Sequence, residues 1–170
     1  MSTTENRIDH SLPPVSTAEL AADETIMQLH EKGFEAYRVG GCVRDRLVGR
    51  GAHDADVVTN AHPHQVKAIF DQTYAVGEQF GVVIVHTRFD EDVEVATFRS
   101  ENAYTDGRRP TGVTFTDARE DVIRRDFTIN ALLYNPQTQQ IIDYTGGLQD
   151  LKRGTLRAIG DPEKRFNEDH

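Results

Sequence analysis

The sequence predicts an α+β domain: a small, mixed, mainly antiparallel sheet flanked by helices. Three observations lead there. Short runs rich in β-branched residues, Val82–His86 and residues 93–99 above all, cluster in the middle of the chain. Segments with capping signals and apolar residues at helical spacing lie on either side of them. With 170 residues, 37% apolar and 28% charged, the chain is long enough for one domain with a real core.

Taken in order, residues 1–15 carry Ser, Thr, Pro13 and Pro14 and read as a flexible tail. Ser16 and Glu19 form a capping box that opens a helix running to about Lys32. Leu20, Ile26, Met27 and Leu29 are expected on its apolar side, and Gly33 is its stop. Residues 34–39 form a short strand that enters a Gly40-Gly41 turn, 42–48 a short helix closed by Gly49, and 53–58 a second strand. Asn60 and Pro63 mark the next helix start, with Val66, Ile69 and Phe70 inward. Glu91-Asp92 turns the chain between the two β-rich runs. The polar stretch 101–111, with Asp106-Gly107 and Pro110, reads as a mobile loop. Residues 117–125 are helical, and 129–134 with 140–144 form a hairpin around Asn135-Pro136. Residues 148–153 form a short helix and 155–159 an extended segment. Asp161-Pro162 begins a last helix, so the expected division is a tail (1–15), a main domain (16–160) and the start of a further element (161–170).

Composition excludes several classes. No apolar stretch approaches bilayer-spanning length, and the N-terminus lacks a secretory apolar region. A single cysteine, Cys42, excludes an internal disulfide and a multi-thiolate metal site, and fits a reducing cytoplasm. A net charge of −9 argues against an autonomous RNA-binding surface. The basic residues are nevertheless uneven, with Arg99, Arg108, Arg109, Arg119, Arg124 and Arg125 in one segment.

The chemistry concentrates on Asp54 and Asp56. Alternate residues of a strand share a face, so both carboxylates project into one place. Like charges that close raise each other's pKa unless a cation lies between them, and hard oxygen donors suit magnesium. Gly40 and Gly41 let backbone N–H groups approach an anion without a Cβ in the way. Arg44, one turn into the following helix, is in reach of the same anion. Glu94 is the candidate third carboxylate, and Asp92, two residues earlier on the same side, is its rival. His53, His62 and His64 read as surface or capping residues and Cys42 as a small buried one.

Three segments carry a family resemblance. Residues 38–49 (RVGGCVRDRLVG) with 53–63 (HDADVVTNAHP) resemble the first catalytic motif of the class II tRNA nucleotidyltransferases (CCA-adding enzymes) and bacterial poly(A) polymerases. Residues 124–131 (RRDFTINA) resemble their second motif, and 143–151 (DYTGGLQDL) with Arg157 their hinge motif. The pattern EVATFR at 94–99 also matches and favours Glu94 over Asp92. The resemblance implies a polymerase-beta-like nucleotidyltransferase head using Mg2+, with CTP and ATP as substrates and the tRNA 3′ end as acceptor. It implies catalytic roles for Asp54, Asp56 and Glu94, with the metal on Asp54 and Asp56. It implies nucleotide contacts from Gly40, Gly41, Arg44, Arg99, Arg124 and Arg125, with Asp126 and Asn130 near the ribose hydroxyls.

The family's fourth motif, Glu-Asp-x-x-Arg, reads the incoming base. Here Glu168 and Asp169 supply its first two members, and the sequence stops at His170, before the arginine. The expectation is therefore a catalytic head, with 161–170 beginning the neck and the RNA-gripping regions absent. That absence accounts for the acidic charge. The loop at 106–110 favours CCA over poly(A) addition. A nucleotide-binding module without transfer activity, or a solitary head acting on small acceptors, remains as the alternative.

Overall fold

The computed structural model describes residues 6–7, 14–101 and 113–161. Helix α1 (Thr17–Glu31) starts where the capping box places it: Ser16 Oγ accepts from the Glu19 amide at 3.2 Å, and Glu19 Oε2 accepts from the Ser16 amide at 2.9 Å. Strand β2 (Ala36–Val39) passes through Gly40, at φ +83°, into helix α2 (Gly41–Leu47). Strand β3 (Asp56–Thr59), helix α3 (Pro63–Ile69), and strands β4 (Thr73–Tyr74), β5 (Val82–His86) and β6 (Asp92–Thr97) follow. A separate hairpin pairs β7 (Arg99–Glu101) with β8 (Val113–Phe115). Helix α4 (Ala118–Ile123), a 3-10 turn (Thr128–Asn130), hairpin strands β9 (Leu133–Asn135) and β10 (Gln140–Ile142), and helix α5 (Gly147–Arg153) complete the chain.

The main sheet has the order β1-β10-β9-β2-β3-β6-β5-β4, with β1 (Asn6–Arg7) on the outer edge. Among the described strands only β3 and β6 run parallel, because a crossover through α3 separates them. Strand alternation divides the apolar side chains between two faces. One face packs Val57, Val83, Val85, Val93 and Val95 against Ala22, Ile26 and Leu29 of α1 and Val66 of α3. The other packs Val39, Val58, Phe98 and Leu133 against Ala118 and Val122 of α4.

Several expectations are corrected. On α1, Leu20 and Met27 face solvent, and Ala18, Ala21, Ala22, Thr25, Ile26 and Leu29 are buried. Leu20 and Met27 are seven apart and form a line of their own, beside the small-residue stripe that meets the sheet. The carboxylate strand begins at Asp56, so Asp54 lies in the approach to it. The single strand expected at 93–99 is two, broken at Phe98, and Glu101 belongs to β7. Asn6–Arg7 pair with β10, and the other residues of the expected tail up to Pro13 lie outside the described residues. The rest of the 101–111 loop also lies outside them, and with it Arg108 and Arg109, as does the helix expected from Pro162.

The largest buried side chain among the described residues is charged. Arg38 of β2 is 2% exposed; its Nη1 donates to Glu19 Oε1 at 2.6 Å and its guanidinium lies 4.4 Å from the Tyr134 ring centroid. Its Nε lies 2.9 Å from Asp23 Oδ1 outside hydrogen-bond geometry, a charge contact. Burial pushes the Asp23 carboxyl up to about 6, against the pull of Arg38. Glu19, the capping-box residue, is thus the buried counter-charge of the central sheet. Removing Arg38 leaves Glu19 only the longer charge contact with Arg46, at 3.4 Å, and breaking such a buried pair costs about 3–5 kcal/mol. Arg38→Met is expected to lose that much stability in urea denaturation; a loss below about 1 kcal/mol would show that the pair is dispensable.

Candidate active site

Strand register assembles the carboxylates. Val39 of β2 stands opposite Asp56 of β3, and Val57 of β3 stands beside Val95 of β6. Carried back one residue, the parallel register sets Asp56 next to Glu94, both on the face away from the buried Val57 and Val95. Asp54, ahead of the strand, lines a hollow together with His53, His86 and Asp92. The two candidates for third carboxylate therefore differ in surroundings: Glu94 flanks Asp56, while Asp92 Oδ1 is 2.7 Å from His86 Nδ1. Desolvation holds the Asp56 carboxyl up to about 6; the charges of Glu94 and then Asp54 push the same way, and Arg125 opposes them.

Basic and amide groups face these acids. Arg44 Nη1 donates to Asn130 Oδ1 at 2.7 Å, tying α2 to the 3-10 turn, and Arg44 Nε and Nη2 each reach Asp45 Oδ1 at 2.8 Å. A Cβ on Gly40 would stand 3.8 Å from Arg125 Nη1, so the turn and this guanidinium are neighbours. Arg125 Nε is buried without a hydrogen-bond partner, and burial pulls the group's pKa down while Asp121 opposes it.

Asp121 is the residue that sequence reasoning missed. Fully buried on α4, it accepts from the Arg99 amide at 3.0 Å, Arg124 Nη2 at 3.1 Å and Arg125 Nη2 at 3.4 Å. The signal was present as an acid three and four residues before two arginines at the end of one helix. Arg124 also donates to the Arg99 carbonyl at 2.9 Å, and Arg99 Nη1 donates to the Phe80 carbonyl. Of the expected nucleotide contacts, Arg44, Arg125, Gly40 and Asn130 are brought together. Arg99 and Arg124 bind main chain and Asp121. Asp126 is exposed, its carbonyl accepting from the Ile159 amide at 2.9 Å. Asp169 lies outside the described residues.

The hinge-like segment holds the turn that carries Asn130. Asp143 accepts four main-chain N–H groups, from Thr145, Gly146, Gly147 and Leu148, at 2.9–3.1 Å. That seats the start of α5 so closely that a Cβ on Gly147 would lie 2.2 Å from the Thr128 carbonyl oxygen. Asp150 Oδ2 accepts from Thr128 Oγ1 at 2.7 Å and, with Oδ1, clasps Arg157 at 3.0 and 3.1 Å.

Among the described residues no three His, Cys, Asp or Glu side chains are grouped tightly enough to hold a metal ion as they stand. The donors that converge are hard carboxylate oxygens, and their mutual repulsion at Asp56 is what a divalent cation relieves, so the residues fit such an ion. No helix of the described residues is long and apolar enough to cross a membrane.

Residues 36–157 match a family model described as the poly A polymerase head domain. The chain is 48% identical over 149 residues to the CCA-adding enzyme of Enterococcus faecalis and 49% identical over 145 residues to that of Streptococcus uberis. These alignments cover 87% and 85% of this chain but 36% of each relative, so the chain spans little more than a third of their length. The structure of the Bacillus stearothermophilus CCA-adding enzyme in complex with CTP superposes with a TM-score of 0.80 at 39% identity, covering 91% of this chain and 37% of that one. A tRNA nucleotidyltransferase complexed with a primer tRNA and an incoming ATP analog superposes at 0.64 with 31% identity, covering 85% and 43%. CCA-adding nucleotidyltransferases are metal-dependent.

The geometry makes two predictions. The Asp56 pKa is raised from 3.8 to about 6, so its contribution to stability is whole below pH 3.8 and lost as pH rises through about 6. Asp56→Asn is expected to raise Tm at pH 7 and flatten the stability profile across this window; an NMR titration midpoint for Asp56 near 4 would show that the carboxyl is neither desolvated nor crowded by Glu94 and Asp54. Gly147→Ala drives a Cβ into main chain and is expected to cost about 1–3 kcal/mol in urea denaturation, whereas wild-type stability would place α5 farther from Thr128.

Proposed function

The chain belongs to the poly A polymerase head domain family, and we propose that it is the catalytic head of an enzyme that adds C, C and A to tRNA 3′ ends without a nucleic-acid template. The observation that carries this reading is the placement of Asp56 beside Glu94, across from Arg125 and the Arg44–Asn130 pair. In the reaction a terminal ribose hydroxyl attacks the α-phosphate of CTP or ATP; a P–O bond forms, and the bond to pyrophosphate breaks. Asp54 and Asp56 would hold a magnesium ion, which would supply activation of that hydroxyl and neutralise charge on the leaving oxygens.

The chain's own groups do the rest. Glu94 completes the carboxylate set. Arg44 and Arg125 meet the triphosphate, Arg125 with a buried Nε free to donate to it. Gly40 and Gly41 allow close approach of main chain to phosphate. Asn130 and Asp126 take the ribose hydroxyls, and Asp169 takes the edge of the base. Arg99 and Arg124 act from behind, anchoring the β7 root and α4 through Asp121. Residues 16–160 form this head and 161–170 open the neck, with the tRNA grip in the part of the relatives that the chain does not span. The single buried Cys42 supports a reducing cytoplasm. Poly(A) addition is the second reading, on the family's description; the identity of 46–49% to CCA-adding enzymes favours the first.

Calorimetric titration of the chain with CTP, ATP, GTP and UTP in magnesium tests the head. Magnesium-dependent binding of CTP and ATP is expected; no binding of any of the four would overturn the assignment. In the complete enzyme, Asp54→Asn and Asp56→Asn are each expected to lower CCA addition by roughly 100-fold or more, the equivalent of several kcal/mol of metal-borne stabilisation. Turnover retained in the double variant would end the assignment of the metal to these two carboxylates.

A further inference from the structure

Helix α2 carries two arginines with different environments. Arg44 faces the site and meets Asn130, while Arg46, two residues on, points the other way: at 3.6 residues per turn they diverge by about 200°. Arg46 Nη1 reaches Glu19 Oε2 at 3.4 Å, with the arginine 14% and the glutamate 0% exposed. Glu19 is itself immobilised, since Oε1 takes Arg38 Nη1 at 2.6 Å and Oε2 also takes the Ser16 amide at 2.9 Å. At the other end of α2, Cys42 Sγ donates to the Val39 carbonyl at 3.3 Å. The short helix is therefore pinned at its start to β2 and near its end to a carboxylate buried against the sheet. The Arg46–Glu19 contact opposes rotation of α2 about its axis, the freedom that would swing Arg44 away from Asn130, alongside the burial of Cys42 and Val43 on the same helix.

We propose that Arg46 and Glu19 are positioning residues for nucleotide binding, holding α2 in the rotation that aims Arg44 at the triphosphate. This rests on the nucleotide site proposed above. It assigns the buried network on α1 a role in the site that packing alone does not require, because Arg38 already compensates Glu19.

The test compares wild type, Arg46→Met and Arg46→Lys by calorimetry with Mg-CTP and with magnesium tripolyphosphate, which reads the phosphate contact without base or ribose. Methionine keeps the apolar stem and removes the tether. Arg46→Met is expected to weaken both ligands about 5- to 10-fold at a temperature where it is fully folded, and Arg46→Lys to recover part of the loss. Glu19→Gln, which keeps the cap and the volume, is expected to fall between. Unchanged affinity in Arg46→Met would overturn the proposal, as would a loss that merely tracks the unfolded fraction. Failure of wild type to bind either ligand would instead overturn the nucleotide site, and this role with it.

Discussion

The parallel pairing of β3 with β6 is the constraint on which the site depends, because it sets two like charges side by side in the middle of a sheet. An antiparallel neighbour at that position would bring a different residue to Asp56. The pairing requires a crossover, and α3 with the β4–β5 hairpin supplies it. The buried valines on the reverse face hold the register, since a slip of one residue would turn Val57 and Val95 away from α1 and drive Asp56 and Glu94 into the core beneath it. Hydrophobic burial on one face thus maintains electrostatic strain on the other.

That strain is balanced by groups arriving from distant parts of the chain. Arg125 comes from the end of α4, Arg44 from α2 and Asn130 from the 3-10 turn, and each is fixed by a partner outside the site: Asp121, Asp45 and the Asp150–Thr128 contact respectively. The pattern is one of acids placed behind arginines. It orients the guanidinium groups before any ligand arrives, which lowers the ordering cost of binding a polyanion.

Much of this was legible in the sequence. The capping box at Ser16 and Glu19, the Gly40-Gly41 turn and the β5 strand follow from local rules and appear within a residue or two of expectation, whereas the first strand of the Asn135-Pro136 hairpin begins at Leu133 and not at Ile129, because residues 128–130 form a 3-10 turn. The choice between Glu94 and Asp92 rested in the sequence on the family pattern; what surrounds each is a matter of register, which joins residues some 40 apart and leaves no local trace. Leu20 and Met27 were misplaced because the face of α1 that meets the sheet is the one carrying Ala21, Ala22, Ile26 and Leu29, and the two lie on a line beside it. The β7–β8 pairing and the triple role of Asp121 are likewise tertiary facts, as is the second use of Glu19 as counter-charge to Arg38.

The contact between Gly147 and Thr128 sets a dimension of the molecule in an unusual way. Most spacings between elements are set by side chains, which hop between rotamers and yield by tenths of an ångström. Here main chain rests on main chain with nothing between, so the separation of α5 from the turn bearing Asn130 has no rotamer to sample. The position of that turn relative to α5 is fixed by the thickness of the polypeptide itself.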